Sequence, residues 1–217
     1  MKPLLQNISG SLMADVTRLG KRRVFYTDET IFNEGDKALF LPIVISGRIK
    51  MIHFLELGKE VIIGIFEEGE MFAVPPVFDG KTYPSTAIAM EETLLLLLQR
   101  RVFLELLRES DEFAFAIIGW MSEMLREKTQ TIQNLAMSSP DHRVAAILLK
   151  LAQKEAPHTP VKISLRREDI AKMAGLTTET TIRVVRRLAK LELLTIVHGK
   201  IIVESTTPLL GFLDQRM

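Results

Sequence analysis

Apolar residues between positions 22 and 98 come in short runs: RRVFYT, TIFNEGD, LFLPIVISGRIKMIHFLELGKEVIIGIFEEGEMF and STAIAMEETLLLLL. They are rich in Ile, Val, Leu and Phe, and Gly35, Gly47, Gly58, Gly64, Gly69 and Gly80 punctuate them. Runs of these residue types, bounded by turn formers at this spacing, predict antiparallel strands that close into a barrel or jelly roll. Within them FLELGKEVII reads as a hairpin turning at Leu57-Gly58.

At Gln99 the period changes. The stretch RRVFLELLRESDEFAFAIIGWMSEMLREKTQTIQNLAM contains no proline and spaces its apolar residues as a helix does. Its second part reads as one long amphipathic helix over 110–137. A helix that long overhangs a small barrel, so its stripe of Ile117, Trp120, Met121, Met124, Lys128, Ile132 and Leu135 is expected to pair with a second copy of the chain. Packing on the barrel alone is the alternative.

SSPDHR at 138–143 ends the helix: Ser-Ser-Pro starts a turn, and Ser139 or Asp141 can cap the next helix. Beyond it the pattern predicts helices over 142–155, 166–174 and 178–191, then a ribbon, LTIVHGKIIVES, turning at His198-Gly199. Three regions result: a roll over 1–109, the long helix over 110–137 and a C-terminal domain over 138–217.

Composition narrows the chemistry. The 217 residues include no cysteine, which removes disulfides, thiolate metal sites, cysteine-bound iron–sulfur clusters and cysteine nucleophiles. No apolar run reaches the ~20 residues that span a bilayer, and no secretory leader is legible, so a cytoplasmic protein with no membrane partner is expected. Through Met137 there are 15 Lys+Arg against 19 Asp+Glu; from Ser138 onward, 13 against 8. A basic C-terminal third points to a polyanion there.

That third holds SLRREDIAKMAGLTTETTIRVVRRLAKLELL, which has a helix-turn-helix layout. Ile170, Ala171 and Ala174 supply the contacts of the first helix, and Gly175 takes the tight turn. Thr177 can cap the second helix, with Glu179 favoured in its first turn. Val184, Val185, Leu188 and Leu191 are expected to face inward, leaving Thr178, Glu179, Ile182, Arg183 and Arg186 outside. In a major groove Arg can grip guanine O6 and N7, and Glu can accept from cytosine N4. The ribbon with Lys200 suits a wing on the phosphate backbone.

In this order and size the parts resemble the Crp/Fnr transcription regulators. IFNEGD, IVISGRIKMI, GKEVIIGIFEEGEMF, IQNLA and REDIAKMAGLTTETTIRVVRRLAKLELL…HGKIIV carry the likeness, from about Asp15 to Val203. It implies an α+β chain: an antiparallel β-roll like a cyclic-nucleotide-binding domain, a dimerisation helix and a winged helix-turn-helix. It also implies a homodimer on a palindromic double-stranded DNA operator, with RNA polymerase as a further partner. Base reading falls to Glu179 and Arg183 beside Thr178 and Ile182. Backbone contacts fall to Arg167, Thr177, Thr180, Arg186 and Lys200. LTTETTIR is nearer the Fnr branch, and Ile182 departs from the small or hydroxyl residue common at its position. It can meet a thymine methyl or fill space against the first helix.

The resemblance also locates an effector pocket at Phe72, Ala73, Val74, Tyr83, Pro84, Ser85, Thr86, Lys128 and Thr129. Members that bind cyclic AMP carry Gly-Glu and then Arg-Ser or Arg-Thr there. This chain has Ala73 and Val74 for the Gly-Glu, and Pro84 for the Arg. A phosphate leaving water needs a charged or backbone partner. The expected effector is therefore a small molecule other than cyclic AMP, with Pro75-Pro76 making the pocket more apolar. Haem stays open through His53, although a lone strand histidine is more often packed or on the surface.

An enzyme is not expected. A cupin-like metal site needs about three histidines and a carboxylate in the roll, which holds only His53 of His53, His142, His158 and His198. No catalytic motif or metal site is found. A cyclic-nucleotide-responsive regulator with a degenerate pocket is the nearer alternative. A sensor without DNA binding is disfavoured by the outward Glu179 and Arg183.

Overall fold

The computed structural model describes residues 8–55, 60–137, 139–155 and 160–214. The expected turn at Leu57-Gly58 and His158 lie outside these residues. The chain forms two compact units that divide at Arg126/Glu127.

The first unit opens with α1 (Gly10–Leu19) and continues through β1 (Lys21–Phe25), β2 (Thr30–Phe32), β3 (Phe40–Ser46), β4 (Arg48–Phe54) and β5 (Glu60–Glu67). A short α2 (Val74–Asp79), β6 (Thr86–Ala89), β7 (Thr93–Gln99) and α3 (Arg100–Glu109) complete the roll. The strands form two antiparallel sheets, ordered β1-β7-β3 and β2-β6-β4-β5. This is the β-roll that the short apolar runs and their glycines imply. Leu95, Leu96 and Leu98 of β7 are all fully buried, which explains five successive leucines: α1 and α3 cover the face of the strand turned from the core. A register shift between Met51 and Ile52 of β4 lets adjacent residues both point inward.

α4 (Asp111–Met137) starts where the Ser110 hydroxyl accepts from Phe113 N–H at 3.2 Å, with Asp111 and Glu112 favoured in the first turn by the helix dipole. Its inner face is Phe113, Ile117 and Trp120, each at most 3% exposed, with Met124 packed against the same core. Ile117, Trp120 and Met124 therefore do not form the free stripe expected of them. Among the described side chains of α4 the large exposed apolar ones are Phe115, Ile118, Met121, Leu125 and Ile132. The side chain of Leu135 lies outside the described set.

The second unit continues from α4 into α5 (Pro140–Glu155), β8 (Val161–Ile163), α6 (Arg167–Ala174) and α7 (Thr178–Lys190). β9 (Thr195–Val197), β10 (Lys200–Val203) and α8 (Thr207–Asp214) complete it, with sheet order β8-β10-β9. Ser139 caps α5 by accepting from His142 N–H at 3.4 Å. Val144, Ala145, Leu148, Ile170, Ala171, Ala174, Val184, Val185 and Leu188 are buried in the unit. Leu191 is not: it is 54% exposed as the C-cap of α7, and Leu194, at 2%, takes the inward place expected of it.

Candidate nucleic-acid interface

α6 and α7 meet at Gly175, whose left-handed backbone (φ 62°, ψ 38°) ends α6. A side chain there is strained, so glycine is required for the turn rather than for space. Arg143, from the first turn of α5, donates through Nη1 to the Ala174 carbonyl at 3.1 Å and holds the end of α6. Thr177 opens α7: its hydroxyl accepts from Thr180 N–H at 3.2 Å and donates to Thr180 Oγ1 at 2.9 Å.

The amphipathic pattern then sorts the helix. Thr181, Val184, Val185 and Leu188 are buried; Thr178, Glu179, Arg183 and Arg186 are exposed, and Ile182 is half-buried. Among the described residues Glu179, Arg183 and Arg186 form no ion pair with each other or with a neighbour. Arg187 differs, because its Nε lies 2.6 Å from Asp141 Oδ1 at the start of α5. Thr181 is buried, with an Oγ1 that has no hydrogen-bond partner, and residue type alone does not separate it from its three threonine neighbours.

β9 and β10 form the wing. Its two-residue turn places His198 (φ 48°) and Gly199 (φ 75°) both at positive φ, as a type I′ hairpin needs. Lys200 stands exposed beside the turn. Arg167, expected on the phosphate backbone, donates through Nη2 to the Gly199 carbonyl at 3.1 Å, tying the start of α6 to the wing. Burial pulls its guanidinium below the ordinary arginine range.

In the roll, Phe72, Ala73, Val74, Tyr83, Ser85 and Thr86 are buried, whereas Pro84 is exposed. Ala73 takes a left-handed conformation (φ 58°, ψ 29°) ahead of α2, a geometry that favours glycine. After Val74, Pro75 and Pro76 stand in the first turn of α2 and remove two backbone N–H donors. Tyr83 stacks on Phe32 with centroids 3.6 Å apart and donates to the Phe40 carbonyl at 2.7 Å. Desolvation raises its phenol above the usual range. The Thr86 hydroxyl accepts from Glu34 N–H at 3.1 Å, and Ser85 Oγ is buried without a partner. Lys128 and Thr129 belong to the second unit. Partial desolvation first, then Lys150, hold the Lys128 ammonium below the lysine range, although the residue is exposed on the helix surface. His53 lies on the roll surface with Nδ1 3.1 Å from Glu34. Among the described residues no three His, Asp or Glu gather as a metal site would require, and no helix is long and apolar enough to cross a membrane.

A roll of two sheets joined through a long helix to a winged helix-turn-helix defines a DNA-binding regulator with a ligand-type sensor domain. Two family models match in succession: cyclic nucleotide-binding domain over residues 22–110 and Crp-like helix-turn-helix domain over residues 142–210. The chain belongs to the Crp/Fnr family of transcription regulators. It is 29% identical over 170 residues to the cyclic AMP receptor protein of Thermus thermophilus, covering 78% of this chain and 77% of that one. It is 26% identical over 181 residues to the CRP-like cAMP-activated global transcriptional regulator of Mycobacterium tuberculosis, covering 82% and 81%. Among solved structures, FixK2 from Bradyrhizobium japonicum is similar with a TM-score of 0.81 at 22% identity, over 91% of this chain and 98% of that one. That likeness is one of fold.

Proposed function

We propose that the chain acts in the cytoplasm as a homodimer that reads a palindromic operator and answers a small molecule other than cyclic AMP. The observation that carries the DNA reading is the unpaired Glu179 and Arg183, one turn apart on the exposed face of a capped α7. Arg183 suits guanine, Glu179 suits cytosine N4, and Thr178 and Ile182 complete the base-facing row. Thr177, Thr180, Arg186 and Lys200 hold backbone phosphates, and Arg167 does so only with what its bond to Gly199 leaves free. RNA polymerase is the further partner of such a regulator.

The roll, residues 1–109, serves as sensor, 110–137 as dimerisation helix and 138–217 as DNA-binding domain. Ile118, Met121, Leu125, Lys128 and Ile132 are spaced 3-4-3-4, the a/d rhythm of a two-helix seam, and Leu135 extends it. Four of the five are exposed apolar residues. This seam supports pairing of two copies.

The relatives' names speak of cyclic AMP, and a degenerate cyclic-nucleotide response is the second reading. The sensor residues disfavour it. Phe72–Val74 and Tyr83–Thr86 bring no cation, and Pro75 and Pro76 remove donors from the turn beside them. A cyclic phosphate would leave water with little in exchange. Enrichment of random duplexes by the full-length protein should yield a twofold-symmetric site, and calorimetry with cyclic AMP should give no heat. An enriched site without symmetry overturns the dimeric reading; micromolar cyclic AMP binding that tightens the operator overturns the effector reading. An absorbance spectrum of the fresh protein tests for haem directly.

A further inference from the structure

The reading face of α7 carries a group that the pairing of Arg183 with guanine and Glu179 with cytosine does not use. Ile182 precedes Arg183 by one residue and comes three after Glu179. Thr178, Glu179 and Arg186 lie four before, three before and four after it, so all share one side of the helix. They are exposed and Ile182 is half-buried, while the interior is already furnished by Thr181, Val184, Val185 and Leu188. Ile182 is thus not a core residue of its domain. A surface that meets DNA through Glu179 and Arg183 must also bring DNA to Ile182.

An isoleucine neither donates nor accepts a hydrogen bond. Laid over a carbonyl, amino group or ring nitrogen it would remove water from that group and return nothing. One group on the base edges of the major groove is apolar, the C5 methyl of thymine. We infer that Ile182 is a specificity-determining residue that packs on a thymine methyl in each half-site, in the same half-site as the guanine held by Arg183. The inference rests on the DNA reading above and adds a base that no polar residue of the helix selects. A β-branched side chain in a helix is held near one χ1 rotamer, so Ile182 reads position as well as polarity. A cytosine there lacks the methyl, and a purine puts a polar edge beneath the side chain.

Deoxyuridine tests this, because it differs from thymidine by that methyl alone. Duplexes enriched by the full-length protein are remade with one thymine at a time changed to uracil. At one symmetric position the wild type should bind about fourfold more weakly per half-site, and about fifteenfold with both changed, the worth of a buried methyl. Ile182→Ala should bind the thymine and uracil duplexes equally at that position, and the milder Ile182→Val should keep part of the difference. Arg183→Ala should keep all of it. Melting curves establish that each variant folds. Sensitivity to no thymine methyl, or sensitivity that survives in Ile182→Ala, overturns the inference while leaving operator binding intact. Failure to enrich any sequence removes the DNA reading itself, and the inference with it.

Discussion

Asp141 at the start of α5 and Arg187 near the end of α7 are joined by an ion pair, with Oδ1 2.6 Å from Nε. The two residues lie far apart in sequence, and the pair takes one of the arginines of the recognition helix out of the DNA-facing set. Asp141→Asn should lower the stability of the DNA-binding domain by about 0.5 kcal/mol, because Arg187 is 53% exposed and water screens much of the attraction. Urea denaturation at low and high salt checks this, and the difference should shrink at high salt.

Arg183 and Lys200 should fail in different ways. Arg183→Ala is expected to cost about 1–3 kcal/mol at the operator and to relax the guanine preference at one position. Lys200→Ala should weaken all duplexes alike and lower the salt slope by about one. Titrations of cognate and scrambled duplexes over a range of salt separate the two.

Lys128 lies on α4 between Leu125 and Ile132, in the stripe proposed to pair two copies, and partial burial and then the charge of Lys150 disfavour its ammonium. A lysine on such a seam fixes register at some cost in stability. Lys128→Met should tighten the dimer, seen as a lower dissociation constant by sedimentation.

Glu127 gives the acid limb of stability. Desolvation pulls its carboxyl upward, but Lys150, 3.0 Å away, outweighs it, and the group ends below the usual carboxylate range. A depressed carboxyl contributes stability that is present above its unfolded value, about 4.3, and is lost as pH falls through the folded value. Lys150→Met should flatten that part of the decline in denaturation series below about pH 5.

Gly175→Ala probes the turn. An added Cβ would meet only Arg143 Nη1, at an ordinary 3.8 Å, so the penalty comes from the left-handed backbone alone. A loss of about 1 kcal/mol is expected, read as a lower melting temperature with the operator preference unchanged.

Much of the fold and of the reading helix is legible in the residues. Short apolar runs and their glycines specify the roll, and Gly175, Thr177 and the Val184-Val185-Leu188 side specify the reading helix, because these are local signals. The stripe on α4 differs from its sequence pattern for a definite reason. Steps of three or four starting at Ile117 wander between the two apolar faces of the helix, whereas steps from Ile118 stay on one. Leu191 falls on the inward side only if the helical period is carried one residue past the last turn. The bonds Arg167–Gly199, Arg143–Ala174 and Asp141–Arg187 join distant positions, and no local pattern announces them.

α4 behaves as a shaft with two flats. Trp120 and Ile117 rest on the roll core, and Ile118, Met121 and Leu125 lie on the exposed flank about a quarter turn round the same helix. Whatever repacks the roll around Trp120 would also turn the proposed seam, since the two flats share one helix. In the proposed homodimer a change of a few degrees at the core would then reach the second copy as a change of register, with no separate linkage needed.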